Sequence, residues 1–251
     1  MADCRRPNKR EQGFVLVTAM WLLILCGAVA ALLLARSLVT ATSAAGEAED
    51  LRSDLALEAA VETVAADLVI NGNRSPFASV PIEREVRIGD VPVRVRIGSE
   101  SGKLDLNAAE LELVGRVLAG LGWEAAPRTA FVQALRARRE ERTPLRSMDE
   151  ARLLAARSRS GDRPDCLESY FTVYSGRAEP EPAFVTPDLA ALLGRPGTPP
   201  GPPASLSPGA PISIQASAQG GRSLSVVMRT GGLLAQPLIV SDWRIGTSCS
   251  T

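Results

Sequence analysis

One uncharged segment near the N-terminus constrains the fold of this chain more than any other feature. Residues 13–35 carry no charged side chain and consist mostly of Leu, Val, Ala and Ile. A helix of about 20 apolar residues spans the ~30 Å hydrocarbon core of a bilayer. The sequence therefore predicts a transmembrane helix over residues 14–35.

Charges before this segment predict its orientation. The preceding residues include four basic side chains, Arg5, Arg6, Lys9 and Arg10. Basic residues stay on the cytoplasmic side of a membrane helix, so we expect a single-pass membrane protein whose N-terminus is cytoplasmic and whose remaining residues lie across the membrane. The apolar region of a cleaved secretory signal is typically about 7–15 residues long, which is shorter than this one. The small residues at 41–46, where such a signal could be cut, also lie well beyond the apolar segment.

A single helix is predicted to continue past the membrane. Residues 36–71 contain no proline, and their only glycine is Gly46. Apolar residues recur in this segment at helical spacing, at Leu57, Val61, Val64 and Leu68. We predict one helix from about Phe14 to about Ile70, with residues 36–72 forming its periplasmic part.

Alternating side chains predict an antiparallel sheet. Apolar and charged residues alternate over residues 82–98 around a Gly89-Asp90 turn, which is typical of a β-hairpin. Three further strands are predicted, in residues 211–218, 222–230 and 237–245. The sheet then belongs to residues 81–101 and 170–251, and the fold class is α+β. A proline- and glycine-rich stretch, residues 194–211, is predicted to be a loop or tether within it.

Helical signals separate the two parts of the predicted sheet. Asn107 is a candidate N-cap for a first helix, and Pro127 is expected to open a second helix. Ser147 and Glu150 form the pattern of a capping box at the start of a third helix. We therefore expect a helical domain between the hairpin and the later strands.

Composition excludes several kinds of active site. The chain contains no histidine, which rules out Ser-His-Asp triads, Cys-His dyads and histidine-bound zinc. Its 28 basic and 28 acidic residues balance, so no overall charge attracts nucleic acid. Residues 128–142 are locally basic, but they lack the glycine hairpin and the aromatic side chains of a nucleic-acid site. We predict that the protein is not an enzyme.

The four cysteines offer one candidate disulfide. Cys4 lies in the charged leader and Cys26 in the apolar segment, which leaves Cys166 and Cys249 as candidates in an oxidising compartment. Two unpaired thiols remain the alternative, because sequence does not give the distance between their Cα atoms.

The junction between Gly13 and Phe14 resembles the type IV prepilin signal, a short charged leader that ends in glycine before an uninterrupted apolar helix. The resemblance implies that a prepilin peptidase cuts after Gly13 and that the new N-terminal Phe14 is methylated. Most members of that family carry glutamate at the fifth mature position, where this chain has Thr18. Its absence resembles the minor pseudopilin K of type II secretion systems (the GspK family).

Three further stretches resemble the same family. They are "SGKLDLNAAE" at residues 101–110, "TPLRSMDEARLL" at 143–154 and "YFTVYSG" at 170–176. The resemblance implies that residues 103–169 form an inserted helical domain, of the sterile-alpha-motif or helix-hairpin-helix kind. Where the family has a "PGM"-like turn, this chain has "ARSRSGD" at 156–162.

The resemblance also implies a location, a function and partners. It implies a single-pass protein of the bacterial inner membrane, with a cytoplasmic N-terminus and a periplasmic head. It implies a minor pseudopilin at the tip of a type II secretion pseudopilus, supporting protein export across the outer membrane. The implied partners are the minor pseudopilins I and J, the major pseudopilin, the prepilin peptidase and the inner-membrane secretion platform. A minor pilin of a type IV pilus is one alternative, and a single-pass periplasmic binding module with no processing is the other.

Calcium is the one candidate ligand, and it too comes from the resemblance, because some pseudopilins bind calcium through loop carboxylates. The acidic residues nearest the end of the helical domain are Asp162, Asp165, Glu168, Glu179 and Glu181. They do not form a recognised calcium loop, so the sequence assigns no metal ligands and no other cofactor.

Overall fold

A computed structural model describes residues 9–158, 166–195, 203–207, 209–218, 221–230 and 238–246. The chain divides into two compact units, Met1–Arg52 and Ser53–Thr251. Each unit is described separately below.

The first helix, α1, runs over Lys9–Asn71. In the N-terminal unit its segment Leu16–Leu34 is long and apolar enough to cross a membrane, and the side chains of that segment are exposed. The helix begins at Lys9, before the predicted start at Phe14. A glycine inside a helix costs only about 1 kcal/mol, so Gly13 does not end it.

The second unit contains strands and short helices in the following order. The strands are β1 (Ser79–Val80), β2 (Ile82–Ile88), β3 (Val91–Ser99), β4 (Leu104–Asp105), β5 (Phe171–Thr172), β6 (Ala204–Ser205), β7 (Pro211–Ser217), β8 (Ser223–Thr230) and β9 (Leu238–Gly246). The helices after α1 are α2 (Leu111–Gly120), α3 (Ala125–Glu140), α4 (Met148–Ser158), α5 (Leu167–Tyr170) and α6 (Pro187–Leu192).

The principal sheet of the described residues is antiparallel, with strand order β2-β3-β7-β8-β9. Its two outermost pairs are consecutive hairpins, whereas the pairing of β3 with β7 joins segments on either side of the helical domain. Two smaller pairs, β1 with β6 and β4 with β5, accompany it. The helical domain is therefore inserted within the sheet, between β3 and β7.

One face of the sheet packs against α1. Leu57, Val61, Val64 and Leu68, the residues predicted from helical spacing, are all at most 6% exposed and share a core with the sheet. That core also takes Val226 and Met228 from β8. Burial of this stripe attaches the helix to the sheet through the hydrophobic effect.

The opposite face of the sheet carries the insert. Val227, between two residues of the first core, belongs to a second core with Phe131, Leu135 and Phe171. Successive side chains of a strand point to opposite faces, so the sheet lies between α1 on one side and the helical insert on the other.

Several helix boundaries differ from their predictions. The helix predicted to start near Asn107 starts at Leu111, and Asn107 contacts the backbone of Leu145 instead of acting as a cap. The second helix begins at Ala125, two residues before Pro127. Proline is tolerated in the first turn because the N–H that it lacks has no partner within the helix.

The capping box is half formed. The backbone N–H of Glu150 donates to the Ser147 hydroxyl at 3.3 Å. The Glu150 carboxylate, however, accepts from Arg138 at 3.1 Å and does not return to Ser147. A long-range ion pair has replaced the reciprocal hydrogen bond of the local motif.

Several short elements were not predicted, among them α6, β1, β4 and β6. Helix α6 lies in the part of the chain assigned to the sheet, with Thr186 as its N-cap, and it packs on α2 through Leu192. Strand β6 lies within residues 194–211, which were predicted to form a loop. It pairs with β1 over two residues only, which is too short a stretch for an alternating pattern to reveal.

Candidate functional site

The insert leaves and rejoins the sheet at one place. Strands β4 and β5 lie side by side in parallel, with Leu104 opposite Phe171 and Asp105 opposite Thr172. The N–H of Leu106 donates to the carbonyl of Thr172 at 2.8 Å and extends the pairing. We call the site formed by Asp105, Asn107, Ser175 and Gly176 the insert junction.

Asp105 is the centre of the insert junction and is 1% exposed. Its carboxylate accepts hydrogen bonds from the N–H of Asn107 at 2.8 Å, the hydroxyl of Ser175 at 3.0 Å and the N–H of Gly176 at 2.7 Å. A buried carboxylate is tolerated when it is hydrogen-bonded in this way. Asp105 thereby fixes the turn that follows β5, where Gly176 has a φ of 65°.

Asn107 connects the junction to the far end of the insert. Its side-chain amide donates to the carbonyl of Leu145 at 2.9 Å, and its side-chain oxygen accepts from the N–H of Leu145 at 2.8 Å. The Arg139 guanidinium donates to the carbonyl of Leu106 at 2.8 Å. Burial lowers the pKa of Arg139, and the nearby charge of Asp105 opposes that shift. The three segments that resemble the GspK family are thus brought together here.

A second cluster joins the insert to the outer face of the sheet. Glu168 of α5 accepts from Arg152 of α4 at 2.5 Å and from Arg244 of β9 at 3.1 Å. Arg152 also contacts Asp149 at 2.8 Å, and Arg244 contacts Asp242 at 3.0 Å. We call these five residues the interface charge cluster. It neutralises charges that the packing of the insert on the sheet removes from water.

Tyr174 adds hydrogen bonds to this cluster. Its hydroxyl donates to Asp242, and it accepts from the N–H of Met148 at 3.4 Å. Burial raises the pKa of Tyr174, and the charge of Asp242 raises it further. Burial also raises the pKa of Asp242, although the hydrogen bond from Tyr174 opposes that shift. Arg229 of β8 completes the contact by donating to the carbonyl of Tyr174.

A groove of about 410 Å³ lies beside the interface charge cluster, between β3 and β7 on one side and α5 and α6 on the other. Its charged lining includes Glu83 with Arg96, which are 3.0 Å apart, and Glu168 of the interface charge cluster. Because these charges are already paired, the groove does not concentrate charge of one sign.

The predicted processing residues lie in the N-terminal unit. Gly13 and Phe14 are in the first turns of α1, and Thr18 is exposed in its apolar segment. Nothing in the structure tests cleavage or methylation there, so both stay predictions.

Cys166, directly before α5, takes part in a disulfide bond, whereas Cys26 is a free thiol. Its predicted partner Cys249 lies outside the described residues. The pairing of these two cysteines therefore stays a prediction.

The described residues contain no group of three or more acidic or cysteine side chains arranged to hold a metal ion. Glu168 is paired with two arginines, and Glu181 lies 3.8 Å from Arg177. Asp162 and Asp165 lie outside the described residues. Calcium binding stays an expectation from the family resemblance alone.

The sequence pattern of β9 did not predict the interface charge cluster. Asp242 and Arg244 are two residues apart in β9, so their side chains lie on one face of the strand. Polar residues on a solvent-facing strand have the same spacing. Polar residues under a packed domain and polar residues in water give the same pattern, so only tertiary structure separates the two.

No protein-family model matches the chain, and no curated protein matches it. A solved structure does. The fold is similar to a chain in the crystal structure of the GspK-GspI-GspJ complex from the type 2 secretion system of enterotoxigenic Escherichia coli. The TM-score is 0.56 and the sequence identity 11%, over 81% of this chain and 99% of that chain. The predicted α+β class, with a long N-terminal helix on an antiparallel sheet and a helical insert, is confirmed as a pseudopilin-like fold.

Proposed function

We propose that this chain is the minor pseudopilin at the tip of a type II secretion pseudopilus, and that it supports protein export across the outer membrane without enzymatic activity. The observation that carries the proposal is a helical insert, packed on the outer face of the sheet, within a pseudopilin-like fold. The apolar segment Leu16–Leu34 supplies a single-pass anchor for such a subunit.

Thr18 supports a position at the end of a filament. A subunit with a neighbour ahead of it can pair a carboxylate in the membrane with that neighbour's N-terminal amine. A threonine cannot neutralise an amine, and an unpartnered carboxylate in the bilayer is costly. In a subunit with no neighbour ahead, the carboxylate would have no amine to pair with. An uncharged residue such as Thr18 fits this position.

Assembly is the proposed mechanism. The prepilin peptidase removes residues 1–13, Phe14 becomes the methylated N-terminus, and the apolar helix stays in the inner membrane with the head in the periplasm. The proposed partners are the minor pseudopilins I and J, the major pseudopilin and the inner-membrane platform. The insert adds bulk to the sheet face that α1 leaves free, which obstructs further packing on that face.

Mass spectrometry of the mature N-terminus tests the proposal. The full chain is expressed with and without a prepilin peptidase, beside the variants Gly13→Val and Gly46→Val. We expect a methylated Phe14 terminus only when the peptidase is present, loss of cutting in Gly13→Val and normal cutting in Gly46→Val, because the peptidase reads the leader junction and not the helix beyond it.

Two outcomes contradict the proposal. An intact leader with the peptidase present leaves a plain membrane anchor, which is the binding-module alternative. A new terminus within residues 41–46 identifies a secretory signal instead. If processing occurs, co-purification with pseudopilins I and J separates a secretion pseudopilus from a type IV pilus, whose minor pilins form a different set.

A further inference from the structure

One face of β9 carries apolar side chains that the head leaves open to solvent. Val240, Trp243 and Ile245 are 47%, 41% and 55% exposed. Their partners in β8 are all buried in the core that the sheet shares with α1, and they are Met228, Val226 and Leu224. Residues directly opposite each other on neighbouring strands share a face of the sheet, so the three β9 side chains lie on the α1 face. We call them the β9 strip.

The other edge strand of the principal sheet, β2, has no such strip. Its residues Ile82, Val86 and Ile88 are partly buried against the α1 core. Its exposed positions are all charged, and they are Glu83, Arg84, Glu85 and Arg87. Charges at an edge strand oppose association with other chains. Exposed apolar residues on β9 are therefore a feature of one edge and not of both.

The width of the sheet leaves room for a second helix on the α1 face. Five strands spaced by about 4.8 Å span roughly 19 Å. A helix is about 10 Å across, so one helix does not cover all five strands. The core residues show that α1 covers the strands from β2 to β8, and the β9 strip is what it leaves open.

A row of carboxylates on α1 faces the same side as the β9 strip. Asp54, Glu58 and Glu62 are four residues apart, so they lie along one flank of the helix. Asp54 pairs with Arg222, the residue directly before β8, and the start of β8 lies beside the end of β9. Within the described part of the chain, neither Glu58 nor Glu62 forms an ion pair. Their charges are available to a partner.

We infer that the β9 strip and this carboxylate row form a docking surface for an amphipathic helix of another subunit. The apolar stripe of that helix covers the β9 strip, and its lysine or arginine side chains face the carboxylates of α1. Burial of the strip drives the contact through the hydrophobic effect, and the charges fix which side of the helix faces α1. That the partner is a pseudopilin rests on the proposed function, whereas the chemistry of the surface does not.

The same charges exclude a second copy of this chain as the favoured occupant. Residues 46–71 of α1 contain seven acidic side chains and one basic side chain, Arg52. The α1 helix of a second copy would therefore bring negative charge against the carboxylate row, which opposes binding. A helix with basic flanks, from a different subunit, fits the surface.

Binding of a synthetic helix to the full chain tests the inference. The protein is placed in phosphatidylcholine nanodiscs, and the probe is a fluorescein-labelled peptide of about 20 residues with a leucine stripe flanked by lysines. Two matched peptides carry glutamate in place of lysine, or two central prolines. We expect only the first peptide to raise the fluorescence anisotropy above that with empty nanodiscs, and its affinity to fall as the salt concentration rises from about 50 to 500 mM.

Variants of the head locate the contact. Trp243→Ser should weaken binding at least about tenfold, because a central aromatic side chain carries much of the energy of an interface. Glu58→Gln combined with Glu62→Gln should weaken it about threefold or more and flatten its dependence on salt. Leu153→Ser in α4 and Glu112→Gln in α2 are the matched controls, since both positions are exposed and lie in the insert. Equal weakening by the controls contradicts the assignment of the surface.

Three other outcomes overturn the inference. Equal binding of the lysine and glutamate peptides would show a contact without charge selection. Binding of the proline peptide would mean that an extended strand pairs with the edge of β9 and that no helix is needed. Self-association of the full chain that Trp243→Ser abolishes, without peptide binding, would identify a second copy as the occupant.

Photo-cross-linking separates this inference from the proposed function. A photoreactive amino acid replaces Trp243 in cells that also express the minor pseudopilins I and J, and we expect a cross-link to one of them. A methylated Phe14 and co-purification with both proteins, without peptide binding at Trp243, refute the docking surface and leave the proposed function standing. Peptide binding that depends on Trp243, in a chain whose leader stays intact, refutes the proposed function and leaves the docking surface.

Discussion

At the scale of single residues, Asp105 shows how a short sequence motif acquires a structural role. The motif predicted only that a helical domain begins near "SGKLDLNAAE". The structure adds that the Asp105 carboxylate accepts hydrogen bonds from Ser175 and Gly176, some 70 residues further along the chain. A buried acceptor of this kind fixes two distant segments at once, so its removal should cost more than an ordinary hydrogen bond.

We expect Asp105→Ala to lower the free energy of unfolding by about 2–4 kcal/mol, because three donors lose a buried acceptor. The measurement is urea unfolding of the head followed by circular dichroism. Asp188→Ala, at an exposed position of α6, is the control and should change stability by less than about 0.5 kcal/mol. Equal effects of the two substitutions would show that Asp105 does not organise the junction.

At the scale of elements, two short 3₁₀ turns lie before and after the insert, Glu100–Gly102 and Pro182–Phe184. They pack closely against each other. A Cβ atom added at Gly102 would lie 2.2 Å from the carbonyl oxygen of Phe184. The N–H of Glu181 donates to the carbonyl of Ser101 at 2.8 Å beside this contact. Because the obstructing atoms belong to the backbone, a side chain at residue 102 forces the two turns apart.

Gly102→Ala should therefore lower the free energy of unfolding by about 2 kcal/mol or more, the cost of overpacking a tight contact. Gly115→Ala is a matched control within α2. Its added Cβ would lie 3.8 Å from Val132, an ordinary contact, and alanine favours a helix by up to about 1 kcal/mol over glycine. Thermal unfolding of both variants checks the contrast, and the prediction fails if Gly102→Ala is the more stable of the two.

Some elements could be predicted from the sequence and others could not. The principal strands were predicted because apolar and polar residues alternate along them, most clearly in β3 and β7. Helix α6 was missed because six residues give less than two turns of periodicity. Its position depends on α2 and not on its own pattern. The interaction partners of Asn107 were missed for a similar reason, since Leu145 is 38 residues away.

At the scale of the whole molecule, the sheet is covered on both faces, by α1 and by the insert. The sequence predicted both helical components but not the face on which the insert lies. On that face Val227 joins the core of the insert, and the interface charge cluster links the insert to β9. Such a contact should make the stability of the head depend on pH.

The pKa of Asp242 sets the direction in which the stability of the head changes with pH. Burial raises its pKa, while Tyr174 and Arg152 oppose the shift and Asp149 adds to it. The folded state then binds the proton more tightly than the unfolded state, whose carboxyl titrates near 4. The contribution of Asp242 to the free energy of unfolding is fully present below about pH 4. It is lost as the pH rises through the pKa of Asp242 in the folded state.

Asp242→Asn removes this titration. We expect the free energy of unfolding of the variant, relative to the wild type, to increase as the pH rises from about 4 to 8, whatever the offset at pH 4. Urea unfolding across that range measures the difference. Glu112→Gln, at a largely exposed position, should give a flat difference. A decreasing difference for Asp242→Asn would mean that the charged form is the one that the fold stabilises.

The parallel pairing of β4 with β5 has a consequence for how this molecule could have arisen and how it could be rebuilt. The chain departs for the insert and returns from it on adjacent strands, which lie about 5 Å apart. A whole helical module between those points can therefore be exchanged for a short peptide or for another compact domain without redirecting the rest of the polypeptide. Such a graft keeps the membrane segment and the sheet and changes only the domain inserted between β4 and β5.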